Sequence, residues 1–331
     1  MQTTDRMPAA GLQALLGNSL DYAGLFPPAK LTLEKAANTY ARYRFSSDAW
    51  FLSHFVCPVD RLAELGAYVP LFTEAAPLRV SALALPSGTR KEFDAKIREP
   101  LDLVLRFKNS HGPLVRVDSM EVALPADLTQ TVAPGEVQDL IPALAEAIEL
   151  SGLVGVTPFL EVTATDWDLQ VRTTIQAMAK HNADWKGVHC RRLAFKLRTG
   201  GMNAEAFPTI DQVALVISTC LDTGVRFKCT AGLHHPVRHY DRSVKTKVHG
   251  FLNIFGAAAL AHAQSLPPAD MSKVLQDENA AHFQFDEEGF SWNGVRATVD
   301  QISEVRYDLM VSFGSCSFEE PLEDLRQLGL L

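Results

Sequence analysis

Short apolar runs alternate with amphipathic stretches from about residue 20 to the end of the chain. Leu20–Phe26, Trp50–Cys57, Leu78–Leu85, Val115–Leu124, Thr157–Ala164, Leu193–Thr199 and Arg226–Ala231 have the length and composition of buried strands, and Met310–Gly314 supplies an eighth. Helical periodicity follows most of them, over Leu33–Arg44, Val59–Val69, Arg90–Phe107, Gly135–Leu150, Asp166–Lys180, Ile210–Thr223, Gly250–Ala263 and Glu319–Leu328. In Ile210–Thr223 the residues Ile210, Val213, Ala214, Ile217, Cys220 and Leu221 recur at steps of three and four and share one face. Thr209 with Gln212 reads as a capping box, and Gly224 is a natural stop.

Alternating β and α units imply a parallel sheet with helices outside it. About eight of them over this length predict an α/β fold of the closed (β/α)8, TIM-like kind, as a single domain over 1–331 without internal repeats. An open dinucleotide-binding sheet is disfavoured, because no GxGxxG follows the first strand, and no GxxxxGK[ST] occurs. Residues 266–298 break the rhythm. His282–Trp292 reads as a β-hairpin around Glu288-Gly289, within an insertion before the last β/α unit.

Composition changes this picture little: 47% hydrophobic and 21% charged residues over 331 positions suit a soluble globular chain. Charge narrows the partners. With 31 Lys plus Arg against 39 Asp plus Glu, a net of −8, nucleic acid and anionic membranes are not expected to bind. Gly250–Ala263, the most apolar segment, is too short for a bilayer, and the N-terminus lacks the pattern of a signal peptide. Cys57, Cys190, Cys220, Cys229 and Cys316 are scattered, with no CxxC, and read as reduced thiols; a cytoplasmic location is expected. The apolar excess of Gly250–Ala263 points either to a homo-oligomer contact or to burial under the insertion.

Active sites of such barrels lie at the carboxyl ends of the strands. In the sixth strand, Leu193, Phe195 and Leu197 form the apolar face, which turns Ala194, Lys196 and Arg198 inward. In the seventh, Phe227, Cys229 and Ala231 point outward, and Lys228 and Thr230 inward. Two lysines thus enter one interior from adjacent strands. Each is expected to depress the other's pKa, and burial adds to this, leaving a neutral amine of the kind a Schiff-base nucleophile requires. The plain alternative is ionic filling, with the lysines paired to interior carboxylates.

The segment resembles the class I, Schiff-base-forming aldolases of the deoxyribose-phosphate aldolase type. Their sixth strand carries Lys-x-x-Thr-Gly, matched here by Lys196, Thr199 and Gly200, and their seventh a second lysine ending in glycine, matched by Lys228 and Gly232, with the lysines 32 positions apart. The resemblance implies that Lys196 forms the carbinolamine and Schiff base while Lys228 lowers its pKa. Arg198 and His234-His235-Pro236 depart from the family pattern.

Glu161, expected inward with Phe159 and Thr163, is the leading general acid/base. On the fourth strand either Glu121 with Ser119 or Asp118 with Arg116 turns inward, as proton shuttle or as salt-bridge partner. Arg198, Thr199, Gly200, Gly201, Thr230 and Gly232 are candidates for holding an anionic substrate, as are His234 and His235 at the mouth. In the final turn Ser317 with Glu320 reads as a capping box, which places Ser315, Cys316 and Ser317 at a helix N-terminus suited to an anion. Cys316 is more readily filler than a reactive thiolate. Asp21-Tyr22, in the first strand and its loop, either lines the pocket or, as the preferred reading, belongs to a loop stiffened by Pro27-Pro28 and packed by aromatics, and His54 reads as a hydrogen-bonded core residue.

The expected activity is that of a lyase making or breaking a C–C bond in a small anionic carbonyl compound, without a cofactor. One alternative keeps the barrel but uses Lys196 as a base or clamp in an enolising isomerase or lyase, with a divalent metal on Glu161 and a histidine. Another is a non-catalytic barrel that binds an anionic metabolite.

Overall fold

Eight strands close into a parallel barrel in a computed structural model that describes residues 8–84, 88–125, 127, 134–162 and 167–331. They are β1 (Leu20–Tyr22), β2 (Leu52–Pro58), β3 (Leu78–Leu83), β4 (Val115–Ala123), β5 (Thr157–Glu161), β6 (Ala194–Arg198), β7 (Phe227–Thr230) and, after two small antiparallel sheets, β13 (Met310–Ser315). Neighbours pair in sequence order, and β13 closes the ring between β7 and β1. This is the TIM-barrel architecture. Outward residues such as Phe195, Leu197, Phe227 and Cys229 join the core shared with the helices.

Helices Leu33–Arg44 and Ile210–Thr223 have the bounds that their periodicity and caps predict. The Thr209–Gln212 capping box forms, and Gly224 takes the left-handed conformation. Elsewhere the local sequence overrides the periodicity. Arg90–Phe107 is two helices, Arg90–Lys96 and Arg98–His111, because Pro100 donates no hydrogen bond to the Lys96 carbonyl and its ring crowds it. Val59–Val69 is a single α-turn, Leu62–Leu65, between 3-10 turns, the second of which contains Pro70. The predicted ends at Leu85, Thr163, Ala164 and Asp166 lie outside the described residues.

The insertion is larger than a hairpin. A helix, Pro268–Gln276, leads into the antiparallel meander β10 (Phe283–Phe285), β11 (Gly289–Trp292) and β12 (Val295–Thr298). The β11–β12 turn is Asn293-Gly294 with both residues at positive φ, the pairing that two-residue hairpins favour. A second hairpin, β8 (His239–Asp241) and β9 (Thr246–Val248), follows β7 and was not apparent from the pattern. The helix Phe251–Gln264 is buried continuously from Phe251 to Ala261, and it packs on β12 and the helices Pro268–Gln276 and Val299–Asp308. Its apolar excess is therefore covered by the chain itself. Among the described residues no helix is long and apolar enough to cross a membrane.

The helix Ala10–Leu16 docks on the meander through Gly11, whose backbone N–H donates to the Asp286 carbonyl. A Cβ on Gly11 would stand 2.0 Å from the Gly289 carbonyl oxygen, where neither backbone has a side chain to move aside. Gly11→Ala is expected to lower stability by about 1–3 kcal/mol, read as an earlier midpoint in denaturant unfolding.

Candidate active site

Register places Lys196 beside both Glu161 on β5 and Lys228 on β7. The two lysines converge on one carboxylate. Lys196 Nζ lies 2.8 Å from Glu121 Oε2 and Lys228 Nζ 2.7 Å from Glu121 Oε1. Lys196 is also 2.8 Å from Glu161 Oε2, and Lys228 is 2.6 Å from Asp21 Oδ2. Phe159 turns inward with Glu161, its ring 5.3 Å from Lys228 Nζ. A cavity of about 510 Å³ opens over this cluster at the carboxyl ends of the strands. Lys196, Glu121 and Asp21 reach its wall, whereas Lys228, 1% exposed, lies beneath them and does not. Of the two amines, only Lys196 can meet a molecule in the cavity.

The ionisation expected of the pair is reversed. Burial alone would drive Lys196 toward neutrality, but Glu121 and Glu161 outweigh it and hold its pKa above the ordinary lysine value. Burial likewise works against the Lys228 ammonium, and Asp21 and Glu121 overcome it, so its pKa is raised too. Lys228 therefore does not depress Lys196, because Glu121 stands between them and screens one charge from the other. Their carboxylate partners thus favour the ammonium form of both lysines.

Glu121 is the counterpart. Burial pushes its carboxyl up, but Lys196 and Lys228 bring it down to about 2. A carboxyl lowered by folding adds stability above its unfolded pKa and loses it as pH falls through the folded value. This contribution is complete above about pH 4.5 and gone near pH 2. Thermal unfolding followed against pH is expected to show a fall in midpoint across that interval, and Lys196→Met should reduce the fall.

The fourth strand resolves with Glu121 and Ser119 inward; Arg116 is exposed. Asp118 does not join the lysines. The β3–β4 register slips by one residue, with Val80 opposite Val117 but Ser81 opposite Ser119. Asp118 is the extra residue, and it bonds His54 on β2 instead. Asp21, read as part of a loop, is a fully buried member of the cluster, held by Lys228, His54 and Ser312 Oγ at 2.6 Å. The signal was present in the sequence: Leu20 and Tyr22 both belong to the outer core, so alternation sends Asp21 inward.

The remaining candidates divide between wall and frame. Arg198, Gly201, Thr230, Gly232, His234, His235 and Cys316 line the cavity, as does Ala231, expected outward. Ala231 lies past the strand end with φ +64°, where alternation no longer holds. Thr199 is frame: fully buried, its hydroxyl donates to the Ala231 carbonyl at 2.6 Å and ties β6 to β7. Gly200 is frame as well, since a Cβ there would stand 2.8 Å from Gly232 Cα. Arg198 extends to the rim, its side chain 55% exposed, with Nη1 3.7 Å from Glu161 and Nε–H donating to the Gly200 carbonyl. Ser315 is buried near His234 Nδ1, at 3.3 Å.

Comparison with models of known protein families and with curated proteins finds no match.

At the final turn the Ser317 hydroxyl accepts the Glu320 N–H at 3.1 Å, but Glu320 does not complete a capping box. Its carboxylate turns to His234 Nδ1, 3.1 Å away, and to His235 Nε2 at 3.8 Å, while Asp324 holds His235 Nδ1 at 2.6 Å. Burial works against the His234 imidazolium, but Cys316 and Glu320 raise its pKa to about 9. The helix end expected to receive an anion thus presents a carboxylate of its own to the cavity. Among the described residues no group of three or more His, Cys, Asp and Glu side chains is arranged to hold a metal ion. The β8–β9 hairpin roofs one side of the cavity with Asp241, Ser243, Val244 and Val248.

Proposed function

We propose that the protein is a lyase that makes or breaks a C–C bond through an imine on Lys196. The observation that carries this reading is a single amine at the cavity floor, set between two carboxylates, with a second, inaccessible ammonium on the far oxygen of one of them.

An ammonium is not a nucleophile, so Lys196 first passes a proton to a carboxylate it already touches, and Glu161 Oε2 is placed for this at 2.8 Å. The neutral amine adds to the carbonyl carbon, Glu161 returns the proton to the carbonyl oxygen, and the carboxylate so freed takes a proton from the cationic nitrogen to give the carbinolamine and to supply the next step. Protonation of that hydroxyl expels water and leaves the iminium. A base removes the proton of a β-hydroxyl, and the electrons of the adjacent C–C bond pass into the iminium to form an enamine. Protonation of the enamine and hydrolysis release the second product and regenerate Lys196. Lys228 remains an ammonium throughout, holding Glu121 and Asp21 in place and favouring the negative charge that develops nearby. Arg198 at the rim suits an anionic group on the substrate.

Borohydride treatment in the presence of small aldehydes and 2-ketoacids is expected to leave a permanent adduct on Lys196, located by peptide mass spectrometry. No adduct across such a panel overturns the imine. The protonated state of Lys196 favours one second reading, in which the ammonium clamps an enolate or carboxylate while Glu161 moves the α-proton. Exchange of substrate α-protons with solvent, without trapping, distinguishes it.

A further inference from the structure

The row of buried charges does not stop at Lys228. Asp21 Oδ1 accepts from His54 Nδ1 at 2.9 Å and from the His54 backbone N–H at 3.1 Å. His54 Nε2 lies 2.5 Å from Asp118 Oδ1, and Asp118 Oδ2 lies 3.8 Å from Arg79. None of His54, Asp118 and Arg79 touches the cavity. They belong to the amino-terminal halves of their strands, and the side chains of Asp118 and Arg79 are 31% and 23% exposed there. Sign alternates at every link from Lys196 through Glu121, Lys228, Asp21, His54 and Asp118 to Arg79.

Both ring nitrogens of His54 face carboxylates. A neutral imidazole has one N–H and would turn a lone pair toward the other carboxylate, whereas an imidazolium donates to both. Burial opposes the charge, and Asp118 and Asp21 outweigh it, which keeps the pKa above the usual histidine value. The other groups facing this pair are Arg79 Nη2, 3.3 Å from His54 Nε2, Ser53 Oγ at Nδ1 and Ser312 Oγ at Asp21. Lys108 and Arg191 act on Asp118, Arg306 acts on Asp21, and Tyr40 donates to the Ser53 carbonyl.

We propose that His54 is a positioning residue for the two-lysine site: an imidazolium clamped between Asp21 and Asp118, it neutralises the second oxygen of Asp21 and so sets how tightly Lys196 keeps its proton, from the end of the barrel opposite the cavity. The inference rests on reading Lys196 as the nucleophile. Without the imidazolium, Asp21 draws Lys228 toward itself, Glu121 is left to Lys196, and the neutral amine becomes scarcer.

Formaldehyde with cyanoborohydride is the probe, because it methylates any accessible neutral amine whatever the natural substrate. The rate at Lys196, referred to an exposed lysine such as Lys273, is followed from pH 7 to pH 11 by peptide mass spectrometry. His54→Gln is expected to slow Lys196 about tenfold across the neutral range, a shift of about one pH unit, and the gap is expected to narrow only at the alkaline end, where the wild-type amine begins to lose its proton. Asp118→Asn, at a partly exposed position, carries the test if His54→Gln does not fold. There His54 loses its charge in the tested range, and because that charge lies nearer Lys196 than the lost carboxylate, the shift has the same sign and is smaller. An unchanged profile in both variants overturns the proposal, as does a constant rate ratio at every pH, which marks a purely structural role. A wild type in which Lys196 is never methylated overturns it too. Failure of the carbonyl panel with these shifts intact removes the imine reading but not the coupling.

Discussion

Lys196→Met is expected to abolish adduct formation and to lower any imine-dependent turnover by about a thousandfold or more, since among the described residues no other amine reaches the cavity from its floor. The same change has a second readout. Glu121 keeps Lys228 at 2.7 Å, but Glu161 is left with Arg198 at 3.7 Å, and it is buried. Removing one partner from a buried ion pair costs about 3–5 kcal/mol, toward the lower end here because Arg198 can approach. Denaturant unfolding of the variant beside the wild type would register the loss as an earlier midpoint. Lys196→Arg separates the two effects. A guanidinium keeps the charge and much of the stability, yet it is never neutral and forms no imine. Recovery of stability without trapping is the expected result, and trapping by the arginine variant would contradict the assignment.

Glu121→Gln should be the most destabilising substitution in the site. Both lysines bond this one carboxylate, at 2.8 and 2.7 Å, and an amide leaves two ammonium ions facing each other with only Glu161 and Asp21 to balance them. A loss of about 3–5 kcal/mol is expected in urea unfolding. The chemistry should move in the opposite sense to the stability. With the screening charge gone, Lys228 repels the proton on Lys196 directly, and formaldehyde methylation of Lys196 should reach its plateau at lower pH than in the wild type. A variant that unfolds more easily yet has a more reactive Lys196 would show that Glu121 sets both properties.

Much of the barrel was legible because alternation is a local property. The inward placement of Lys196, Lys228 and Glu161 follows from apolar neighbours one residue away on each strand, and the structure keeps each one inward. Asp21 obeys the same rule but sits on a strand of only three residues, short enough to be read as a loop. Asp118 breaks the rule, since one extra residue in a register is invisible in a pattern with period two. The proton on Lys196 was beyond local reading altogether. It is set by Glu121 and Glu161, more than 30 positions earlier in the chain, and no neighbour in sequence announces them. Thr199 marks another limit: a hydroxyl near a strand end looks the same in sequence whether it faces a ligand or ties two strands together. The hairpin predicted over His282–Trp292 has two strands, and the Asn293-Gly294 turn just beyond it adds the third.

The β8–β9 hairpin hangs from the barrel between β7 and the helix that follows, and its ladder is closed within itself, with His239 opposite Val248 and Asp241 opposite Thr246. No stave depends on its strands for pairing. Shortening it or exchanging its tip would therefore redraw the upper contour of the chamber while the floor of lysines and carboxylates keeps its geometry. Descent with modification, or a designer, can reshape the chamber's upper wall here without disturbing the ion pairs below.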